Sequence, residues 1–491
     1  MILNTDKNKL IASILLLFFL LPLLYINVKT THDWGDDFAQ YIVQAKSMVS
    51  KTNFVSQVAG LTNYSPSYRP AGFPLLLVPF YYFFGNSTYV FLFFISSLLI
   101  LLSMVYFRFI CHYFNVVVSF LLTLVFVYNP AVLALKSEIM AEIPLTLFLI
   151  AGVWIYTGKN KNYLLFTLII ATLLIFIKSI GVVFIMAVAV DLVVQYIINR
   201  HREEQSFYFK NIGRIILYCS LPFVIYFTAN YFIFNIPFGS EGWYSKLVSL
   251  SDLVGTVQRN FILYKDLYFI SFEQEVTNYI NVSVKSCILV FLVIGIVVKL
   301  RRKVEMYDYL IFFYLMVIIT YQYSHGGYRF LFPVIPFLLF YTFTGVQFFI
   351  NRLQIKSIVP VCSFLLLILG SYTVNAKAII KETPLIQWGP EDDSFKDCVN
   401  FIRRTTTAED CFLFIKPWAF NLYTERKVVP LSGNDNVDSF KKCIEVNKVN
   451  YIVACTNPNY ELYDLNLLHL VSIQNSFKEV WKNEIYTIYK R

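Results

Sequence analysis

Residues 33–48 read DWGDDFAQYIVQAKSM, with three carboxylates, Asp33, Asp36 and Asp37, crowded ahead of an amphipathic run. Directly before them lies LIASILLLFFLLPLLYINV, residues 10–28, which is apolar almost throughout. The acidic window therefore sits just outside a segment long enough to cross a bilayer. Phe38, Tyr41, Ile42, Ala45 and Met48 recur at helical spacing and predict a helix with one apolar face. One of the adjacent aspartates Asp36 and Asp37 can cap that helix, since a carboxylate at a helix start accepts backbone N–H bonds. A second aspartate is more than a cap requires.

Outward from this window the chain is apolar. Of its 491 residues 57% are hydrophobic and 15% charged, where soluble domains carry about 25% charged residues. The apolar residues fall in long runs rather than stripes, which predicts a polytopic α-helical membrane protein. Spans are expected near 10–28, 88–107, 115–134, 139–157, 162–178, 180–198, 211–233, 284–299, 307–324, 330–350 and 356–375. Lys7 and Lys9 precede the first run, which reads as a retained helix rather than a cleaved leader.

The net charge of +10 sits in short loops between these runs: Lys159 and Lys161, Arg200 and Arg202, KLRRK at 299–303, and Arg352 with Lys356. That distribution is the positive-inside bias of a cell-membrane protein, not a nucleic-acid surface. It places the N-terminus in the cytoplasm. The first loop (29–87), the loop 234–283 and everything after 376 then lie outside. Two domains are expected: 1–375 in the membrane, carrying the first loop, and 376–491 outside it. In the latter, apolar runs shorten to CFLFI, VVPL, YIVAC and EIYTIYK, separated by helix-like segments such as DSFKDCVNFIRR. A small α/β domain follows, closed by a hairpin at Asn483–Glu484. Cys398, Cys411, Cys443 and Cys455 lie in this part, where disulfides are open to them. No C-x-x-C pair, P-loop, GxGxxG or HExxH occurs.

Three further polar groups are expected on the outer side. KSEIMAEIPLTLF places Glu138 and Glu142 at i and i+4 on the helix that starts the fourth span, so they are expected to share a face, with Lys136 as a possible counter-ion. YSPSYRPAGFP places Tyr68 and Arg69 before Pro70, in extended chain. It leads into GFPLLLVPFYYFFG, too short to span and suited to the interface or to a broken helix. YSHGGYRFLFPVIPF gathers His325, Tyr328 and Arg329 after a span. Each has a plain reading as a cap, a snorkelling cation or a belt aromatic. Together they place carboxylates and arginines on one side of a helical bundle, fit to hold an anionic headgroup and to activate a hydroxyl.

The ordered set GDDFAQYIVQAKSM, YRPAGFPLLLVPFYYFFG and GYRFLFPVIPFLL resembles the GT-C membrane glycosyltransferases. The likeness runs to the family 39-like group, which includes protein O-mannosyltransferases and the lipid A aminoarabinose transferase. It covers roughly residues 30–340. The resemblance implies a polyprenyl-phosphate sugar donor and transfer of a hexosyl or pentosyl group to a lipid, glycan or protein acceptor on the extracytoplasmic face. By position, it implies that Asp37 is the first-loop catalytic carboxylate, with Asp36 its neighbour. Arg69 and Arg329 would meet the donor phosphate, helped by Tyr68 and Tyr328. Glu142 would match the acidic residue of the next outer loop. Tyr41, Glu138 and His325 are candidates for substrate contact. The family pattern has Asp-Glu where this chain has Asp36-Asp37. No cofactor is implied. Paired carboxylates could hold a divalent cation, but the resemblance implies metal independence. The rival reading is a transporter or flippase of a lipid-linked or anionic substrate. It would rest on charges within spans, here Lys178 and Asp191.

Overall fold

The computed structural model describes residues 6–26, 28, 31–51, 69–159, 161–199, 205–234, 250–270, 278–321, 327–355, 357–382, 389–430 and 436–491. By contacts between residues the chain forms two compact units. The first is Met1–Val28, Leu92–Ala229 and Leu247–Thr383; the second is Lys29–Phe91, Asn230–Lys246 and Pro384–Arg491. The first loop, expected to go with the membrane domain, thus groups with the C-terminal residues.

The first unit is helical. Helices lie over most of the described part of each expected span, from Asp6–Leu20 at the start to Val359–Glu382 at the end. Among the described residues, five helices are long and apolar enough to cross a membrane: Asp6–Leu24, Thr88–Ile110, Ser179–Ile198, Gly213–Phe232 and Tyr328–Arg352. Shorter apolar helices, such as Glu142–Gly158 and Tyr163–Ile177, accompany them. The expected span 115–134 is broken. Val116–Val127 ends, and Asn129 caps a second short helix, Pro130–Leu135, by accepting the N–H of Ala131 at 2.9 Å. Proline at the first helical position and asparagine before it explain the restart.

Leu250–Ile270 forms a helix within the expected outer loop. Its charges Asp252, Arg259, Lys265 and Asp266 break the apolar pattern that marks a span. Asn260 is buried, and its amide donates to the carbonyls of Ile319 (2.9 Å) and Tyr321 (2.7 Å). It thereby serves backbone acceptors at the end of the helix Met306–Thr320. The helices Asn278–Arg302 and Ile335–Arg352 cross where Gly295 meets Gly345. A Cβ on Gly345 would lie 2.0 Å from the Phe291 carbonyl oxygen, and one on Gly295 1.8 Å from that of Tyr341. Only glycine permits backbones this close.

The second unit is built on a five-stranded sheet. Its strands are β1 (Cys411–Phe414), β2 (Lys427–Pro430), β3 (Tyr451–Cys455), β4 (Lys478–Lys482) and β5 (Tyr486–Lys490), in the order β2-β1-β3-β5-β4. The pairs β2–β1 and β1–β3 are parallel, while β3–β5 and β4–β5 are antiparallel. The terminal hairpin forms as expected. Asn483 Oδ1 accepts the N–H groups of Ile485 (3.0 Å) and Tyr486 (2.7 Å), which sets the turn. Helix Asp393–Thr405 starts at Asp392, whose Oδ1 caps the N–H of Phe395 at 2.7 Å. The eight cysteines are all unbridged in the structure, those of the sheet domain included.

Two helices of the first loop complete this unit. Asp36–Ser50 packs against Gly72–Phe84 and against Pro417–Thr424. Packed from two sides, it buries Gln40, Gln44 and Ser47 as well as the expected apolar residues Phe38, Tyr41, Ile42 and Ala45. Gly72–Phe84 is one unbroken helix with Pro79 inside it. It turns Phe73 and Leu77 inward, while Leu75, Tyr82, Phe83 and Phe84 stay exposed.

Candidate active site

In the second unit, the helix Asp36–Ser50 starts after Gly35, so no side chain fills its cap position. The Gly35 N–H instead bonds Asp33 Oδ1 at 3.0 Å, and Asp33 serves the turn. Gly35, and neither Asp36 nor Asp37, holds the cap position. Asp37 Oδ1 holds Arg69 Nη2 in an ion pair. Arg69 Nε donates to Gln40 Oε1 at 2.8 Å, and Gln44 Nε2 donates to the Arg69 carbonyl at 2.9 Å. The guanidinium lies 5.8 Å from the centre of the Tyr41 ring. Tyr41 in turn meets Phe73 edge-on at 4.8 Å.

Residues 37, 40, 41 and 44 are spaced i, i+3, i+4 and i+7, so they form one helical face. Arg69 lies against this face by its charge, its fork and its backbone. Its chain leads through Pro70 into Gly72–Phe84, the helix that packs on the same partner. The side chains of Arg69 and Asp37 remain 23% and 31% exposed, so a solvent-borne ligand can reach both. An arginine fork matched to a carboxylate also matches a phosphate. Gln40 and Gln44 are the members that sequence reasoning missed. Their spacing from Asp37 was the available signal. Tyr68, His325 and the side chain of Asp36 lie outside the described residues.

The first unit carries a second cluster. Glu142 begins the helix Glu142–Gly158 and is buried. The expectation of Glu138 and Glu142 on one helical face is corrected here, because Glu138 lies in the non-helical stretch before that helix. The chain turns at Lys136 and Ser137, and Pro144 falls in the first turn of the helix that begins at Glu142, where its missing N–H costs no helix bond. Glu142 Oε1 accepts from Lys178 Nζ at 2.7 Å, and Lys178 also lies 5.1 Å from the Phe330 ring centre. Lys178 follows the helix Tyr163–Ile177 in an extended conformation, which aims it away from the helix path. Lys136 does not take the acid-pairing role considered for it. It is fully buried and bonds Ser96 Oγ at 3.3 Å.

Gly327, at φ 50°, turns the chain into the short helix Tyr328–Leu331. There Arg329 Nη1 lies 3.6 Å from Met140 Sδ. Of the two charges a transporter would rest on, Lys178 is tied to Glu142 and Asp191 accepts from Tyr156 Oη at 2.6 Å. Among the described residues, no group of three or more His, Cys, Asp or Glu is placed to hold a metal ion.

A scan against protein-family models found no match, and no curated protein matched by sequence. Solved structures do match. ArnT from Cupriavidus metallidurans in the apo state aligns with TM-score 0.59 over 97% of each chain at 12% identity. The same protein bound to undecaprenyl phosphate aligns with TM-score 0.53 over 97% of each chain. An oligosaccharyltransferase from Archaeoglobus fulgidus, in the apo form, aligns with TM-score 0.59 at 11% identity, over 92% of this chain and 70% of the other. The backbone path is shared and the sequence is not. The fold of this multi-pass membrane protein is the GT-C fold of membrane glycosyltransferases.

Proposed function

We propose that the protein is a membrane glycosyltransferase that moves a sugar from a polyprenyl-phosphate donor to a lipid, glycan or protein acceptor of the cell envelope. Transfer takes place on the extracytoplasmic face, by direct displacement with inversion. The observation that carries this reading is the Asp37–Arg69 pair on the face formed with Gln40, Tyr41 and Gln44. It sets a carboxylate beside a guanidinium, partly open to solvent, next to a helix with an exposed apolar side. The neighbour structures support it, since one of them is bound to undecaprenyl phosphate.

The chemistry follows from the residue types. The leaving group is a lipid phosphate, whose departure needs charge stabilisation more than a strong acid. Arg69 supplies that with fixed donors in a partly dry site. Asp37 accepts the proton of the acceptor hydroxyl as the new bond forms. Ligand phosphate would draw Arg69 from Asp37, freeing the carboxylate for that step. Tyr41 holds the guanidinium plane. In the first unit, the resemblance assigns Arg329 to phosphate and Glu142 to orienting a hydroxyl, and variants at these positions test that assignment separately.

The test is turnover. Purified protein is supplied with polyprenyl-phosphate sugars and envelope acceptors, and donor is followed by mass spectrometry. Donor converted to free lipid phosphate only in the presence of acceptor supports the reading. Movement of intact donor across vesicle membranes without conversion supports a flippase in its place.

A further inference from the structure

The acidic helix of the second unit is fastened to the sheet domain by a specific chain of bonds. Trp34, three residues before Asp37, is wholly buried. Its ring meets Phe395 edge-on at 4.8 Å and lies 5.8 Å from Phe414, so a first-loop residue packs as part of the C-terminal core. Its Nε1–H donates to Tyr460 Oη at 3.1 Å. Tyr460 Oη donates in turn to Asp392 Oδ2, while Asp392 Oδ1 caps the helix Asp393–Thr405. The directions are fixed, since an indole only donates and a carboxylate only accepts. Burial, with the Asp392 bond adding to it, pushes the Tyr460 hydroxyl up, so it keeps its proton.

A second tie lies at the other end of the same helix. Lys46 pairs with Glu425, which follows the helix Pro417–Thr424. Lys46 stands nine residues after Asp37, half a turn round, and so on the opposite face. The back of the helix is tied to the sheet domain, and its front presents Asp37, Gln40, Tyr41 and Gln44 to Arg69. Only Gly35 separates the Trp34 anchor from the first helical residue. A shift of the indole is therefore passed to Asp37 with little slack.

We propose that Trp34, Tyr460 and Asp392 are positioning residues, through which the C-terminal domain sets the place of the Asp37 helix. Their effect on catalysis rests on the transferase reading given above; their effect on the helix does not. Tyr460→Phe removes one oxygen and keeps the ring, and Trp34→Phe removes the donor. In full-length detergent-purified protein, amide exchange over residues 36–50 should speed up ~10-fold or more in Tyr460→Phe, with no change over the distant helix Val437–Val446 of the same domain. The Tyr460→Phe kcat should fall by ~10- to ~100-fold with donor KM within about 3-fold of wild type. The double variant should be no worse than the worse single, because both break one chain of bonds.

Unchanged exchange over 36–50 in Tyr460→Phe overturns the proposal. So does faster exchange spread evenly over the sheet domain, which would make the bond one of general stability. A selective response in a wild-type background that consumes no donor upholds the tether and sinks the transferase reading instead.

Discussion

Replacing Arg69 by lysine keeps the charge and removes the fork, which separates positioning from simple attraction. Arg69 donates through Nη2 to Asp37 and through Nε to Gln40 at 2.8 Å, and it covers the Tyr41 ring at 5.8 Å. A lysine ammonium can keep the first contact but not all three at once. Losing one or two charge-assisted bonds to a fixed phosphate should cost about 2–4 kcal/mol in transition-state binding, or ~30- to ~1000-fold in kcat/KM. The stability effect should be smaller, about 1 kcal/mol or less, because both side chains of the pair are partly exposed and screened. Initial rates of donor consumption over a range of donor concentrations measure the first quantity, and thermal unfolding in detergent the second. A lysine variant within about 3-fold of wild type in kcat/KM would refute the argument that the guanidinium plane matters.

Other expectations follow from the same geometry. Lys178→Met removes the cation paired with the buried Glu142 carboxylate and should cost about 3–5 kcal/mol of stability, with much of it recovered in the Lys178→Met/Glu142→Gln double variant; thermal unfolding of the four proteins decides this. Gly345→Ala places a Cβ 2.0 Å from the Phe291 carbonyl oxygen and should destabilise the protein by at least the usual cost of overpacking, about 1–3 kcal/mol, read as a lowered unfolding midpoint. The hydrogen bond from Lys46 holds the Glu425 carboxyl below the usual carboxylate range. The tie therefore contributes stability at neutral pH and loses it as pH falls through that lowered value. Protection over residues 36–50, taken relative to the intrinsic exchange rate at each pH, should fall in acid in wild type and change less in Lys46→Met.

The sequence carried the helices and the sheet domain well, because both rest on local patterns. Apolar runs announced the helices, and short apolar runs between amphipathic segments announced β1, β2, β3 and β5. The resemblance named Asp37, Arg69 and Tyr41 as candidates, and the structure brings Arg69 against both Asp37 and the Tyr41 ring. The failures are local competition or long range. Glu138 was placed on a helix that the turn at Lys136 and Ser137 had already ended. The pairing of Lys178 with Glu142 joins two helices that no periodicity connects. Trp34 and Tyr460 lie 426 residues apart, and nothing near either residue indicates that the first loop enters the C-terminal core.

The most direct test of the account is donor consumption by Asp37→Asn beside wild type. Asparagine keeps the shape and can still accept from Arg69, but it cannot take the acceptor's proton. The account predicts consumption by wild type and a loss of ~100-fold or more in kcat for the variant, with amide exchange over residues 36–50 unchanged. Equal consumption by the two proteins would contradict it, and would remove Asp37 from the chemistry.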